Sequence, residues 1–223
     1  MGITVAKVGG SLASHPSNLR ALCHQLCVLS GQYPLVVVPG GGEFADTVRQ
    51  LDGRFNLSNG TAHRMAILGM DQYGLLLRDL MPHDAVAISQ LNDTKRTLAA
   101  GKLTVFLPAQ LLMREDPLEN SWTITSDSIA LYIAYKLHAK QLLLITDVDG
   151  IYLEDPKQNP KVSCIETISI QQLLTMKRTS VDAAFAELLQ KWKQNCIVIN
   201  GNYPNRVKAV FMGQNTICTI IRC

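Results

Sequence analysis

LVVVPGGGEFADTVR, residues 35–49, runs from an apolar β-branched stretch through a proline and three glycines into a helix-like pattern. Residues 35–38 read as a strand buried on both faces, and Pro39 with the glycines ends it. A helix then starts near Glu43 or Phe44. Successive glycines feeding a helix N-terminus make an anion site, because free N–H groups and the helix dipole both favour negative charge. The stretch is neither a Walker loop, since no Gly-Lys-Ser/Thr follows, nor a GxGxxG fingerprint. Taken alone it is also compatible with a close helix–strand crossing.

Outward from this stretch the same alternation continues. Residues 3–8, 85–88, 105–107, 142–145, 197–199 and 217–221 read as strands. Helical patterns cover 17–30 (Ser17 as N-cap), 61–80 (closed by Pro82), 126–137, 181–193 and a stretch from about Asn205. Strands alternating with helices predict an α/β fold, a three-layer αβα sandwich with a mainly parallel central sheet. No repeat or linker interrupts the 223 residues, so one domain with one continuous sheet is expected.

Hydrophobic residues make up 47% and charged residues 17%, a globular composition. The net charge of +3 is spread without a basic run, which argues against nucleic acid and leaves anionic small substrates open. No apolar run reaches the ~18 residues of a membrane span, and the start MGITVA has Ala6 where a myristoylation motif wants Ser or Thr. A cytoplasmic protein is expected. The cysteines at 23, 27, 164, 196, 218 and 223 form no CxxC pair, so reduced thiols and no metal site are expected.

In an open parallel sheet ligands bind beyond the carboxyl ends of the strands, and three motifs fall there. In Lys7-Val8-Gly9-Gly10-Ser11 the glycines let backbone N–H groups approach a phosphate, and Lys7 inside an apolar strand needs an anion or a water path. Gly40-Gly41-Gly42 is the second loop. The third motif is Thr125-Ser126-Asp127-Ser128 opening a helix, together with Thr146-Asp147-Val148-Asp149-Gly150-Ile151-Tyr152 after a strand. Each alone also fits a turn, a helix cap or a snorkelling lysine. Together they describe a phosphate cradle, a lysine and carboxylates able to orient it or hold Mg²⁺.

KVGGSL (7–12), VVVPGGGEFADTVR (36–49), TSDSIALYIA (125–134), LLITDVDGIYLEDP (143–156) and, more weakly, IVINGNYPNRVKAVFMG (197–213) resemble, in order, the motifs of the amino acid kinase family. The resemblance implies that family's fold, ATP and Mg²⁺ as cofactors, and an N-terminal acceptor-binding and a C-terminal ATP-binding part. It implies that Lys7 contacts the transferring phosphoryl group and that Asp127 holds the catalytic lysines in position. Gly9, Gly10 and Ser11 would form the ATP-phosphate loop. Gly40, Gly41 and Gly42 would be shared by phosphoryl group and acceptor. Thr146, Asp147, Asp149, Gly150 and Tyr152 would bind the nucleoside, with Asp155 and Pro156 beside them. One departure stands out: where many members carry a second lysine in GGMxxK, residues 179–184 read TSVDAA, and Lys177 or Arg178 would have to substitute from upstream.

Within the family, PGGGEFADTVR, AHRMAILGMDQYG (62–74) and WTITSDSIA are most similar to the small kinases of methanofuran biosynthesis, which convert an aminomethylfuran-methyl phosphate to its diphosphate. Asp46, Arg49, His63 and Asp71 lie on the two helices expected to wall the acceptor pocket. A phosphate at one end would want Arg49 or His63, and an ammonium at the other an acid such as Asp71. Competing readings are a kinase acting on isopentenyl phosphate, a nucleotide or an amino-acid carboxylate, and an inactive nucleotide- or oxyanion-binding protein. The family habit of assembly makes a homo-oligomer the expectation, with the apolar face of the 17–30 helix as one candidate interface.

Overall fold

The computed structural model describes residues 2–82, 84–154, 159, 162–176, 181–182 and 184–222. In chain order the strands are β1 (Thr4–Val8), β2 (Leu35–Pro39), β3 (Ala85–Ile88), β4 (Leu103–Phe106), β5 (Gln141–Thr146), β6 (Thr167–Ser169), β7 (Cys196–Asn200) and β8 (Thr219–Arg222). They form one sheet ordered β3-β4-β2-β1-β5-β7-β8-β6. All neighbours are parallel except β7 and β8. The expected mainly parallel sheet is therefore present, with one reversal near an edge. That reversal starts β8 opposite Val198, near the carboxyl end of β7, and so carries Thr219 to the end of the sheet where β5 stops. There the Thr219 hydroxyl accepts a hydrogen bond from the Ile151 N–H at 2.8 Å.

The helices are α1 (Pro16–Ser30), α2 (Gly42–Phe55), α3 (Asn59–Leu80), α4 (Leu91–Ala99), α5 (Ala109–Glu115), α6 (Ser126–Lys136), α7 (Ile170–Thr175), α8 (Phe185–Trp192) and α9 (Pro204–Phe211). Strand alternation divides the core. Val5, Val36, Val38, Leu142 and Leu144 face a layer that includes α5, α6, α7 and α8. Ala6, Val8, Leu35, Val37, Leu143 and Ile145 face α1, α9 and the later part of α3. This is the sandwich that β-strands with a period of two and helices with a period of 3.6 must build.

Several boundaries differ from the sequence reading for identifiable reasons. α1 begins at Pro16, not after Ser17: a proline at the first helical position gives up no hydrogen bond and fixes φ, and no side chain caps this end. Its apolar face, Leu19, Leu22, Cys23, Leu26 and Leu29, is buried in the core and so is not free to serve as a subunit interface. α8 starts at Phe185 and not at Val181, because the Asp182 side chain is taken up by another helix, as described below. α4, α5, β6 and α7 carried no legible signal. α4 turns Thr94 and Thr97 inward where a helix stripe would show large apolar residues, and the other three have only seven, three and six residues.

Among the described residues no helix is long and apolar enough to cross a membrane. Cys23, Cys27, Cys164, Cys196 and Cys218 are free thiols. Burial pushes Cys23 up to about 12 and Cys27 up to about 11, so both stay protonated at neutral pH. No group of three His, Cys, Asp or Glu side chains among the described residues is arranged to hold a metal.

Candidate active site

Lys7 sits on β1 between Val38 of β2 and Leu144 of β5. Alternation with Ala6 and Val8 turns it to the face covered by α6. The first turn of α6 carries Asp127, and its Oδ1 lies 2.7 Å from Lys7 Nζ, with both side chains about nine-tenths buried. The contact is close but lacks the alignment of a regular hydrogen bond at Oδ1, so charge holds it. Such a pair is costly to desolvate and is worth keeping where the ammonium must be held in place for a ligand.

The two glycine loops meet in backbone contact. Gly40 N–H donates to Val8 O at 2.8 Å, and Gly9 N–H donates to Ile145 O at 2.8 Å. A Cβ on Gly10 would stand 2.1 Å from Gly42 N, and one on Gly40 would stand 2.6 Å from Gly10 N. Gly42 has φ +56°, a conformation that disfavours side chains. The loops are therefore glycine because two backbones share one place, and that place adjoins the N-terminus of α2. Tyr73, buried in α3, fixes it from below by donating to Gly9 O at 3.2 Å.

Beyond the loops lies a cavity of about 300 Å³, the size of a small-molecule pocket. Gly10, Ser11, Gly41, Gly42, Asp46, Arg49 and His63 line it, so the structure brings most of the predicted phosphate and acceptor residues to one cavity. Trp122, Ile124, Ile67 and Met70 supply its apolar side. Burial lowers the pKa of His63, Asp116 opposing in part, so the imidazole is neutral at pH 7 and brings no positive charge to the cavity.

Asp71 is not among the lining residues. Its carboxylate accepts from Ala109 N–H at 3.1 Å, at the start of α5. Burial outweighs that bond and raises its pKa to about 6. A carboxyl whose folded pKa is raised favours the fold when protonated, and this contribution is lost as pH rises from about 4 through 6. Asp71→Asn should therefore gain stability over the wild type as pH rises from 4 to 8, with acceptor KM unchanged. Thermal melts across that range check the first part and steady-state kinetics the second.

The predicted nucleoside residues cluster at the ends of β5 and β7. Asp149 Oδ1 accepts from Asn200 Nδ2 at 2.8 Å and pairs with Arg206 Nη1 at 2.7 Å. Asn200 also donates to Asp147 O at 3.2 Å, and Thr146 Oγ1 donates to Asp147 Oδ1 at 3.1 Å. Gly150 packs so closely that a Cβ would lie 2.4 Å from Thr219 Oγ1. Tyr152 is half-buried beside them. Asp155, Pro156, Lys177 and Arg178 lie outside the described residues.

The sequence reading missed Asp182. Its Oδ2 accepts from Thr125 N–H at 3.1 Å, Thr125 Oγ1 at 2.9 Å and Ser128 N–H at 3.1 Å, and its Oδ1 from Ser128 Oγ at 2.7 Å. One carboxylate from before α8 thus anchors the start of α6, the turn that carries Asp127. Burial raises its pKa, and the Asp127 charge adds to this. Asp182→Ala should cost about 2–4 kcal/mol of stability and lower turnover with little change in KM, read by denaturation and by kinetics below the transition. Trp122 was missed too: its indole N–H donates to Asp52 Oδ2 at 2.7 Å, and Arg49 Cζ lies 4.8 Å from its ring centroid. An isolated tryptophan gives no spacing signal. Asn200 and Arg206 were overlooked for a similar reason, although a polar residue ending an apolar strand is a usable hint.

A sheet with two glycine loops, a lysine and an anchored carboxylate at its carboxyl end defines a phosphoryl-transfer architecture. The chain belongs to the amino acid kinase family, whose model matches residues 2–200, and it is a kinase. It is 36% identical over 217 residues to the [5-(aminomethyl)furan-3-yl]methyl phosphate kinase of Methanocaldococcus jannaschii, covering 97% of this chain and 96% of the relative. It is 26% identical to the uridylate kinase of Thermofilum pendens, covering 98% and 97%. Among solved structures, uridylate kinase from Archaeoglobus fulgidus superposes with a TM-score of 0.78 at 20% identity, covering 99% and 100% of the two chains. UMP kinase from Ureaplasma parvum superposes at 0.79 with 22% identity, covering 99% and 98%. These structures share the fold.

Proposed function

We propose that this chain transfers the γ-phosphoryl group of ATP to a phosphate monoester of the aminomethylfuran-methyl type, giving a diphosphate for methanofuran-type cofactor synthesis. The observation that carries the reading is the 36% identity across nearly the whole of both chains to a kinase named for that acceptor. The cavity supports it, being small, partly apolar and continuous with the glycine loops.

The N-terminal part holds the acceptor and the C-terminal part the nucleotide. Gly9, Gly10 and Ser11 take the nucleotide phosphates, and Thr146, Asp147, Asp149, Gly150 and Tyr152, with Asp155, take the nucleoside. Gly40, Gly41 and Gly42 lie between donor and acceptor phosphates. An acceptor phosphate oxygen is already a nucleophile, so no general base is needed, and catalysis is positioning and charge neutralisation. Lys7, oriented by Asp127, offers its ammonium to the transferring oxygens, while glycine N–H groups hold them in line. Mg²⁺ brought in with ATP would add charge neutralisation at the phosphates. The missing second lysine leaves Lys7 with a larger share of that task. Exposed Leu68, Leu75 and Leu76 on α3 offer a surface for the expected homo-oligomer.

The test is ADP release from Mg-ATP with the aminomethylfuran phosphate, isopentenyl phosphate, UMP, acetylglutamate and aspartate. Selective turnover of the furan phosphate is expected. Selective turnover of another acceptor would reassign the substrate, and ATP binding without turnover would favour a binding protein.

A further inference from the structure

Resting on the reading above, the cavity allows the two ends of the acceptor to be told apart. Its wall follows one face of α2: Gly42, Asp46 and Arg49 all line it. At the helical rise per residue, Asp46 lies about 6 Å beyond Gly42 along the axis and Arg49 about 10 Å. With the acceptor phosphate at the glycine loops, the rest of the molecule extends along this face. An aminomethyl group across a furan ring from a phosphoryloxymethyl group puts its nitrogen about 6–8 Å from the ester oxygen on ordinary bond lengths. That span ends at the level of Asp46.

Two carboxylates line the cavity, Glu43 and Asp46. Glu43 adjoins Gly42, at the end where the acceptor is negative. Asp46 is one turn further on. It is at present bonded to Arg49 Nη1 at 2.6 Å, but the two side chains are 62% and 56% exposed. An ion pair so open to water is worth little, so changing partners costs little. Arg49 retains a second seat over the Trp122 ring, at 4.8 Å. Trp122 is itself pinned by Asp52, and with Ile67, Met70 and Ile124 it offers a flat ring an apolar bed between the two charged ends. Burial disfavours a charged His63, so the histidine adds little positive charge beside Arg49.

We propose that Asp46 is the residue that recognises the acceptor's ammonium group, and that it thereby selects a zwitterionic amine phosphate over a phosphate that lacks the amine. It acts on binding and not on the transferring group.

The experiment compares the aminomethylfuran-methyl phosphate with its analogue bearing methyl in place of aminomethyl, in the wild type and in Asp46→Asn. In the wild type the amine is expected to have the lower KM. In Asp46→Asn its KM should rise by up to about 5-fold, the worth of an exposed ion pair, with kcat little changed, and the preference over the methyl analogue should collapse. An equal effect on both acceptors, or on neither, in an enzyme that still turns over the amine would overturn the role of Asp46 and leave the kinase assignment standing. If the wild type turned over neither furan acceptor while accepting another of the panel, the substrate reading would fail and this inference with it.

Discussion

Lys7→Ala lowers phosphoryl transfer by about 10²-fold or more, while nucleotide affinity falls much less. The ammonium is poised by Asp127 at 2.7 Å on a strand flanked by two others. In the proposed role it would meet charge that moves during transfer, so its removal should be felt most in the transition state. Residues 179–184 lack the second lysine of the family motif, which leaves Lys7 as the lysine the matched motifs supply. The variant also leaves Asp127 buried without its partner, which costs about 3–5 kcal/mol. Lys7→Ala/Asp127→Ala removes both charges and should regain stability without regaining activity. Turnover, nucleotide affinity and melting temperature of both variants separate the two effects. Near-wild-type turnover in either would remove Lys7 from the chemistry.

Gly10→Ala abolishes activity and lowers the melting temperature by several degrees. The new methyl would stand 2.1 Å from Gly42 N and 2.2 Å from Gly42 Cα, and both are backbone atoms. Neither loop has slack to yield, since Gly9 and Gly40 are tied to β5 and β1 by 2.8 Å hydrogen bonds. The loops must separate, and the proposed phosphate site between them would open. Gly53→Ala in α2 is the control. Nothing lies within 4 Å of a Cβ there, and alanine favours a helix interior, so that variant should be active and slightly more stable. Activity assays and melts on the pair decide the matter; an active Gly10→Ala enzyme would mean the loops do not form one cradle.

Elements written in local chemistry were legible. The strands of the sheet's centre are short apolar runs cut off by proline and glycine, and α3 shows its helical period over 22 residues. The glycine loops could be placed because each follows such a strand, and Lys7 because a lysine inside an apolar run is anomalous wherever the chain folds. Asp127 was found as an acid in a first helical turn, the resemblance implied that it holds a lysine, and the structure shows it against Lys7. Short or threonine-lined elements such as α4 and β6 stayed hidden, since their segments are decided by what they pack against and not by their own pattern.

What the sequence by itself determined, then, is which residues end strands and open helices, because propensity and periodicity act between neighbours in the chain. Only the tertiary structure decided partners. Asp182 grips the start of α6, Asp71 turns to Ala109, and the reversal of β8 brings Thr219 to Ile151. Each pairing joins segments far apart in sequence. A carboxylate or hydroxyl takes whichever donor packing leaves within reach and short of water, and no local pattern encodes that.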